Sequence, residues 1–161
     1  MLQLRSTSPA DTHAIAAVIA GVARAGDIIV LAGDMGAGKT AFAQGFGAAM
    51  GVTDHMTSPT YNLVHSHPTA GRLVLHHADL YRLSTQHEVA DLAFAELAES
   101  GGVIIVEWGD VVASSFGDHL LVSIESVAEA DDERLLHVQA LGRSWAGRWA
   151  EIERGLERFA C

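Results

Sequence analysis

The chain has 161 residues, 49% of them hydrophobic and 19% charged, and twenty acids against ten bases give it a formal charge of −10. That balance excludes a disordered chain, and the acidity excludes a broad basic footprint on a nucleic-acid backbone, because such affinity comes from clustered cations. A single domain spanning residues 1–161 is expected.

No apolar run reaches the roughly 20 residues of a membrane-spanning helix. The opening "MLQLRSTSPADT" also lacks the apolar centre of a secretory signal, so a cytosolic location is expected. The one cysteine, Cys161, is the last residue and has no partner for an internal disulfide.

In chain order, "SPADTHAIAAVIAGVARAGD" places Ser8 as an N-cap and Pro9 at the first helical position, followed by apolar residues at helical spacing. A helix over about residues 9–24, stopped by Gly26, is predicted. "DIIVLAG" is short, continuously apolar and β-branched, the pattern of a strand buried on both faces of a parallel sheet. "KTAFAQGFGAAMG" returns to helical spacing and ends at Gly51. "YNLVHSHPTAGRLVLHHADLY" reads as a hairpin, with strands near 60–66 and 72–79 around a Pro and Gly turn. "STQHEVADLAFAELAES" is helical, and "GGVIIVEWGD" is a second central strand ending in an acid. "HLLVSIES" and "RLLHVQAL", separated by the acidic "VAEADDE", form an antiparallel pair, and "SWAGRWAEIERGLERF" a closing helix. Trp145 and Trp149 on that helix read as packing residues. The order defines an α/β fold whose central, mostly parallel sheet is flanked by helices and carries antiparallel hairpin strands.

The chemistry concentrates in "GDMGAGKT", which matches G-x-x-x-x-G-K-[ST] in full and contains the only lysine, Lys39. Glycines at Gly33, Gly36 and Gly38 allow the backbone of Gly33, Asp34, Met35, Gly36, Ala37 and Gly38 to curl with its N–H groups inward. The helix that opens at Lys39, Thr40 and Ala41 adds the positive end of its dipole. Such a nest holds phosphate: Lys39 reaches the β and γ oxygens, and the Thr40 hydroxyl coordinates magnesium. The P-loop NTPase fold follows, because the motif lies between a buried strand and a helix.

A magnesium nucleotide also needs a carboxylate at the end of a neighbouring apolar strand. Glu107 and Asp79 qualify. Glu107 is preferred as the metal ligand, with Asp79 holding either a metal-bound water or the attacking water. Thr60, in "TSPTYN", either contacts the γ-phosphate or belongs to a turn set by Pro59. Trp108 packs near the base, against a partner or in the core. The nine histidines lack cysteines or a second ligand pair at zinc-site spacing, so strand packing is favoured over metal binding. His77 is placed to hydrogen-bond Asp79 and hold its orientation.

No N-K-x-D guanine-reading sequence is present, which disfavours a familiar GTPase. A small-molecule kinase is the alternative enzyme, although residues 86–100, where a lid helix would lie, contain no arginine. Four ordered motifs, "GDMGAGKT", "SPTYNLV", "HADLYRL" and "VEWGD", resemble those of the TsaE (YjeE) ATPases of tRNA threonylcarbamoyladenosine biosynthesis. The resemblance covers about residues 26–110. Asn62 and "DLAFAEL" depart from the family pattern.

The resemblance implies an ATP- and Mg2+-dependent ATPase that joins a TsaD–TsaB pair, the enzyme that modifies adenosine 37 of tRNA, and touches tRNA only through that pair. It implies Thr40 and Glu107 as magnesium positions and Gly36 to Thr40 as phosphate-binding backbone, with Asp79, Thr60 and Trp108 at further motif positions. Arg134, in "DDERLLHV", resembles a basic residue near the family's nucleotide site. Unless Arg82 or Arg134 reaches the phosphates, no cationic finger is evident, and partners are expected to accelerate a slow intrinsic hydrolysis.

Overall fold

The computed structural model describes residues 1–57, 64–80, 94–108 and 116–161. Thr60, Arg82, the first residues of the expected hairpin and the front of the expected 84–100 helix lie outside the described residues.

The N-terminus forms β1 (Leu2–Ser6), which the sequence reading did not identify, and then α1 (Pro9–Gly21). The Ser8 hydroxyl accepts the Asp11 N–H at 3.2 Å, and the Asp11 carboxylate accepts the N–H of Thr7, the residue before the cap, at 2.9 Å, so both bonds fix where α1 starts. Ile15, Ala16, Ile19 and Ala20 recur at helical spacing and face inward. α1 ends earlier than the predicted 24, because the Val22 N–H turns back to the Ile19 carbonyl.

Next come β2 (Ile28–Ala32), α2 (Lys39–Ala49), the antiparallel pair β3 (Val64–Pro68) and β4 (Val74–Asp79), α3 (Phe94–Glu99) and β5 (Gly102–Glu107). The chain continues through β6 (His119–Val127) and β7 (Ala130–Leu141) to α4 (Trp149–Leu156), which has a short 3₁₀ turn on each side rather than the single long helix expected. β7 begins inside the acidic segment read as a separator, and the reversal is a tight turn with Glu129 at φ +64°.

Among the described residues the strands form one seven-stranded sheet in the order β1-β7-β6-β2-β5-β4-β3. Its centre is parallel: β2 pairs with β6 and β5, and β5 pairs with β4. The antiparallel strands lie at the two sides. β2 and β5 are buried along their whole length, as their uninterrupted apolar sequences require.

The pleat sends alternate residues to opposite faces. Ile29, Leu31, Leu75, Val103 and Ile105 join a core shared with Phe42 and Phe46 of α2, Ile15 and Ile19 of α1, and Ile152 and Leu156 of α4. Ile28, Val30, Ala78, Ile104 and Val106 face the other way, toward Leu80 and Phe116, with Leu97 of α3 packed against them. His77, Asp79 and Glu107 continue the parity of Leu75 and Ile105, so they belong to the face that α2 covers.

A buried ion pair closes the far end. Arg148 donates to both carboxylate oxygens of Asp27 at 2.5 and 2.9 Å and stacks its guanidinium 4.1 Å from the ring centroid of Trp145, which is fully buried as a packing residue. Among the described residues no helix is long and apolar enough to cross a membrane.

Candidate functional site

The loop between β2 and α2 is built around close approach. Gly33, Gly36 and Gly38 have φ of +141°, +80° and +110°. At Gly33 the backbone passes so near β6 that a Cβ would lie 2.3 Å from the Ile124 carbonyl oxygen. Only glycine fits there. The Ala37 N–H closes a turn on the Asp34 carbonyl at 3.0 Å, and the first helical bond of α2 runs from the Phe42 N–H to the Gly38 carbonyl at 2.9 Å. Among the described residues no side-chain hydrogen bond caps α2 at Gly38, and the positive end of the helix faces the loop.

Lys39 is buried, with 4% exposure, although the loop residues 34–36 are exposed. Its Nζ donates to the Gly33 carbonyl at 2.6 Å and the Asp34 carbonyl at 2.8 Å, and lies 3.8 Å from the Trp108 ring centroid. The contact with Trp108 is a cation–π pair. Trp108 is also a non-glycine residue at φ +65°, a sparsely populated conformation that its N–H bond to the Leu31 carbonyl helps to hold.

The acids arrive through sheet register. Leu31 stands opposite Glu107, and Glu107 opposite Asp79, so the two carboxylates end adjacent parallel strands at the same level. The Thr40 hydroxyl, one helical residue beyond Lys39, donates to Glu107 Oε1 at 2.9 Å. The other oxygen, Oε2, lies 2.5 Å from His77 Nε2. The expected bond from His77 to Asp79 is therefore corrected. Both residues project on one face two positions apart along β4, whereas the Glu107 carboxylate on the neighbouring strand is within reach.

These groups surround a cleft of about 350 Å3 lined by Met35, Gly36, Gly38, Lys39, Thr40, Ala41, Asp79, Glu107 and Trp108. Gly33, Asp34 and Ala37 line a second cleft of about 480 Å3 across the loop, together with Ser123, Ile124, Glu125 and Ser126. Arg134 reaches the loop from β7, where its Nε donates to the Ala37 carbonyl at 2.9 Å. Its Nη1 holds the Asp131 and Glu133 carbonyls, so the guanidinium braces the loop from the β6–β7 side. Thr60 lies outside the described residues.

A hydroxyl, a carboxylate pair and a loop of amides supply the hard oxygen donors that suit magnesium and the N–H groups that suit phosphate. Among the described residues no group of three or more His, Cys, Asp and Glu side chains could hold a metal ion by itself. A divalent cation placed beside Thr40, Asp79 and Glu107 would therefore need further oxygens from a ligand. The pairings His77–Glu107 and Lys39–Trp108 were not foreseen. The adjacent "HH" and "EW" were visible, but linking them to these partners required the register of β4 on β5 and the fold of the loop.

A glycine loop joining a central parallel strand to a helix, with acids at the ends of the next two strands, defines a P-loop NTPase fold. Residues 6–136 match the family model described as threonylcarbamoyl adenosine biosynthesis protein TsaE. The chain belongs to the TsaE family. It is 35% identical over 153 residues to the tRNA threonylcarbamoyladenosine biosynthesis protein TsaE of Bacillus subtilis, covering 95% of this chain and 94% of that one. The TsaE protein of Streptomyces coelicolor is 37% identical over 132 residues, covering 80% of this chain and 89% of its own. A crystal structure of Bacillus subtilis YdiB superimposes with a TM-score of 0.79 at 30% identity, over 95% of this chain and 94% of that one.

Proposed function

We propose that this chain binds ATP with Mg2+ in the 350 Å3 cleft and hydrolyses it in support of tRNA threonylcarbamoyladenosine formation by a TsaD–TsaB pair. The observation that carries the reading is the convergence of Lys39, the Thr40 hydroxyl and the Glu107 carboxylate on one cleft at the N-terminal end of α2. The relatives' assignment to threonylcarbamoyladenosine biosynthesis supports the biological setting.

In this reading the loop amides and Lys39 hold the β- and γ-phosphoryl oxygens, and Thr40 with Glu107 holds the cation, which supplies charge neutralisation on the phosphoryl group. Asp79, level with Glu107, orients the attacking water. Trp108 keeps Lys39 on the cleft side of the sheet. Arg134 braces the loop from outside the cleft, so the isolated chain brings no described cation beyond Lys39 to the cleft lining. Slow intrinsic turnover follows, with a partner raising it by about a thousandfold or more where it supplies an arginine-type group.

Calorimetric titration with Mg-ATP, on the wild type and on Lys39→Ala, tests the binding. Tight binding by the wild type and a loss of about 100-fold or more in the variant are expected, since the ammonium contributes charge-assisted bonds to two phosphates. Undiminished affinity in Lys39→Ala would remove the basis for the proposal. Phosphate release with no added acceptor, measured with and without the TsaD–TsaB pair, tests the reaction. Equal rates in the two arms would count against partner activation, and release that demands a small-molecule acceptor would point to a kinase.

A further inference from the structure

We propose that His77 is the positioning residue of the cation site: it pins one oxygen of Glu107 so that the other stays directed at the Thr40 hydroxyl and the divalent ion these two hold. The inference rests on the nucleotide-binding reading above and adds a residue to it.

His77 is completely buried on β4, and its cross-strand neighbour on β5 is Ile105, one pleat behind Glu107. The ring therefore reaches diagonally to the carboxylate, with 2.5 Å between Nε2 and Oε2. Glu107 is itself only 2% exposed, and its Oε1 accepts from Thr40 at 2.9 Å. An ionised carboxylate only accepts, so Nε2 carries the shared proton. Among the described residues the other ring nitrogen, Nδ1, is buried without a hydrogen-bond partner. Among the described residues the ring's hydrogen bonding is thus directed wholly at Glu107.

A leucine at this position would fill the core without that polar demand. What the imidazole adds is a fixed carboxylate plane. The terminal torsion of a glutamate is broad, and a partner on one oxygen selects the orientation of the other. When the Thr40 oxygen turns toward a cation, the bond from His77 is the one that keeps Glu107 aligned. Partners of this kind typically change metal affinity by about 10–100-fold when removed.

The test compares wild type with His77→Leu, His77→Gln and His77→Asn. Each is titrated with a non-hydrolysable ATP analogue in EDTA, and each analogue complex is then titrated with Mn2+ as a spectroscopic probe. The glutamine amide can occupy the place of Nε2, whereas the asparagine amide falls short, nearer the place of Nδ1. Expected are a Mn2+ affinity about 10–100-fold weaker for His77→Leu and His77→Asn, substantial recovery in His77→Gln, and metal-free analogue affinity equal in all four.

Wild-type Mn2+ affinity in His77→Leu, or a fall in metal-free analogue affinity that matches the fall in Mn2+ affinity, would overturn the positioning role. If His77→Leu does not fold, the Gln and Asn variants decide: equal Mn2+ affinity in those two overturns the proposal. A wild type that takes up neither analogue nor Mn2+ overturns the nucleotide-binding reading itself, an outcome distinct from intact wild-type binding with an indifferent variant.

Discussion

Gly33→Ala and Gly36→Ala make a matched pair, because each adds one methyl group to the same loop at a positive φ. At Gly36 a Cβ meets nothing within 4 Å, so only the backbone conformation at φ +80° is penalised, by about 1–2 kcal/mol. At Gly33 the same methyl would sit 2.3 Å from the Ile124 carbonyl oxygen and 3.3 Å from the Ala37 Cβ. The first contact is with backbone of a central strand, which cannot rotate away. Conformational strain of about 1–3 kcal/mol and overpacking of about 1–3 kcal/mol then combine to about 2–6 kcal/mol. A domain of this size loses about 2–4 °C per kcal/mol, so Gly33→Ala should lower Tm by roughly 4–24 °C and Gly36→Ala by roughly 2–8 °C. Calorimetric melting gives the stabilities and Mg-ATP titration the affinities. Gly33→Ala should also lose most nucleotide affinity, since relieving the clash displaces the amides of the loop. Equal Tm losses in the two variants would refute the claim that close approach to β6 shapes the loop.

Three further outcomes are expected. Arg134→Ala removes the bond to the Ala37 carbonyl and should weaken Mg-ATP binding severalfold while costing about 1 kcal/mol of stability; calorimetry that shows unchanged affinity would exclude a brace on the loop. Arg148→Met strands the buried Asp27 carboxylate and should cost about 3–5 kcal/mol, or roughly 6–20 °C in Tm. Adding Asp27→Leu should recover part of that loss, and a single variant within about 2 °C of wild type would contradict the pairing. Burial lowers the pKa of His76 below its usual 6.5. The unfolded chain therefore takes up a proton at that ring before the folded one does, so its contribution is complete above pH 6.5 and declines as the pH falls below it. Urea midpoints at about pH 7.5 and 5.5 should differ less in His76→Leu than in wild type, and an unaltered difference would show that other groups govern this range.

The features legible in the sequence are those whose cause is local. Ser8 and Pro9 mark the start of α1 because capping needs only neighbouring atoms. The unbroken apolar runs of β2 and β5 announce central strands because both faces must be dry. β1 escaped notice because its five residues owe their conformation to pairing with β7, more than a hundred residues away in the chain. The acidic stretch before Arg134 reads as a loop, yet β7 begins at Ala130: pairing with β6 outweighs local propensity, and Asp131 and Asp132 remain exposed. The site divides in the same way. The glycine loop is one contiguous motif, whereas the grip of His77 on Glu107 spans 30 positions and that of Arg134 on Ala37 spans 97.

Register connects these two kinds of information. Side chains on β4 and β5 alternate between the α2 face and the α3 face, so a slip of one residue in either strand would turn its acid away from Thr40. The apolar residues prevent that slip, since Leu75, Val103 and Ile105 would leave the core shared with α2 at the same moment. The packing that stabilises the sheet is thereby also what brings Asp79 and Glu107 level with each other. A net charge of −10 does not preclude the proposed phosphate site, because interactions between exposed charges are screened beyond about 8 Å at physiological salt. The cleft is lined instead by one buried ammonium, the start of α2 and two carboxylates whose positions the core determines.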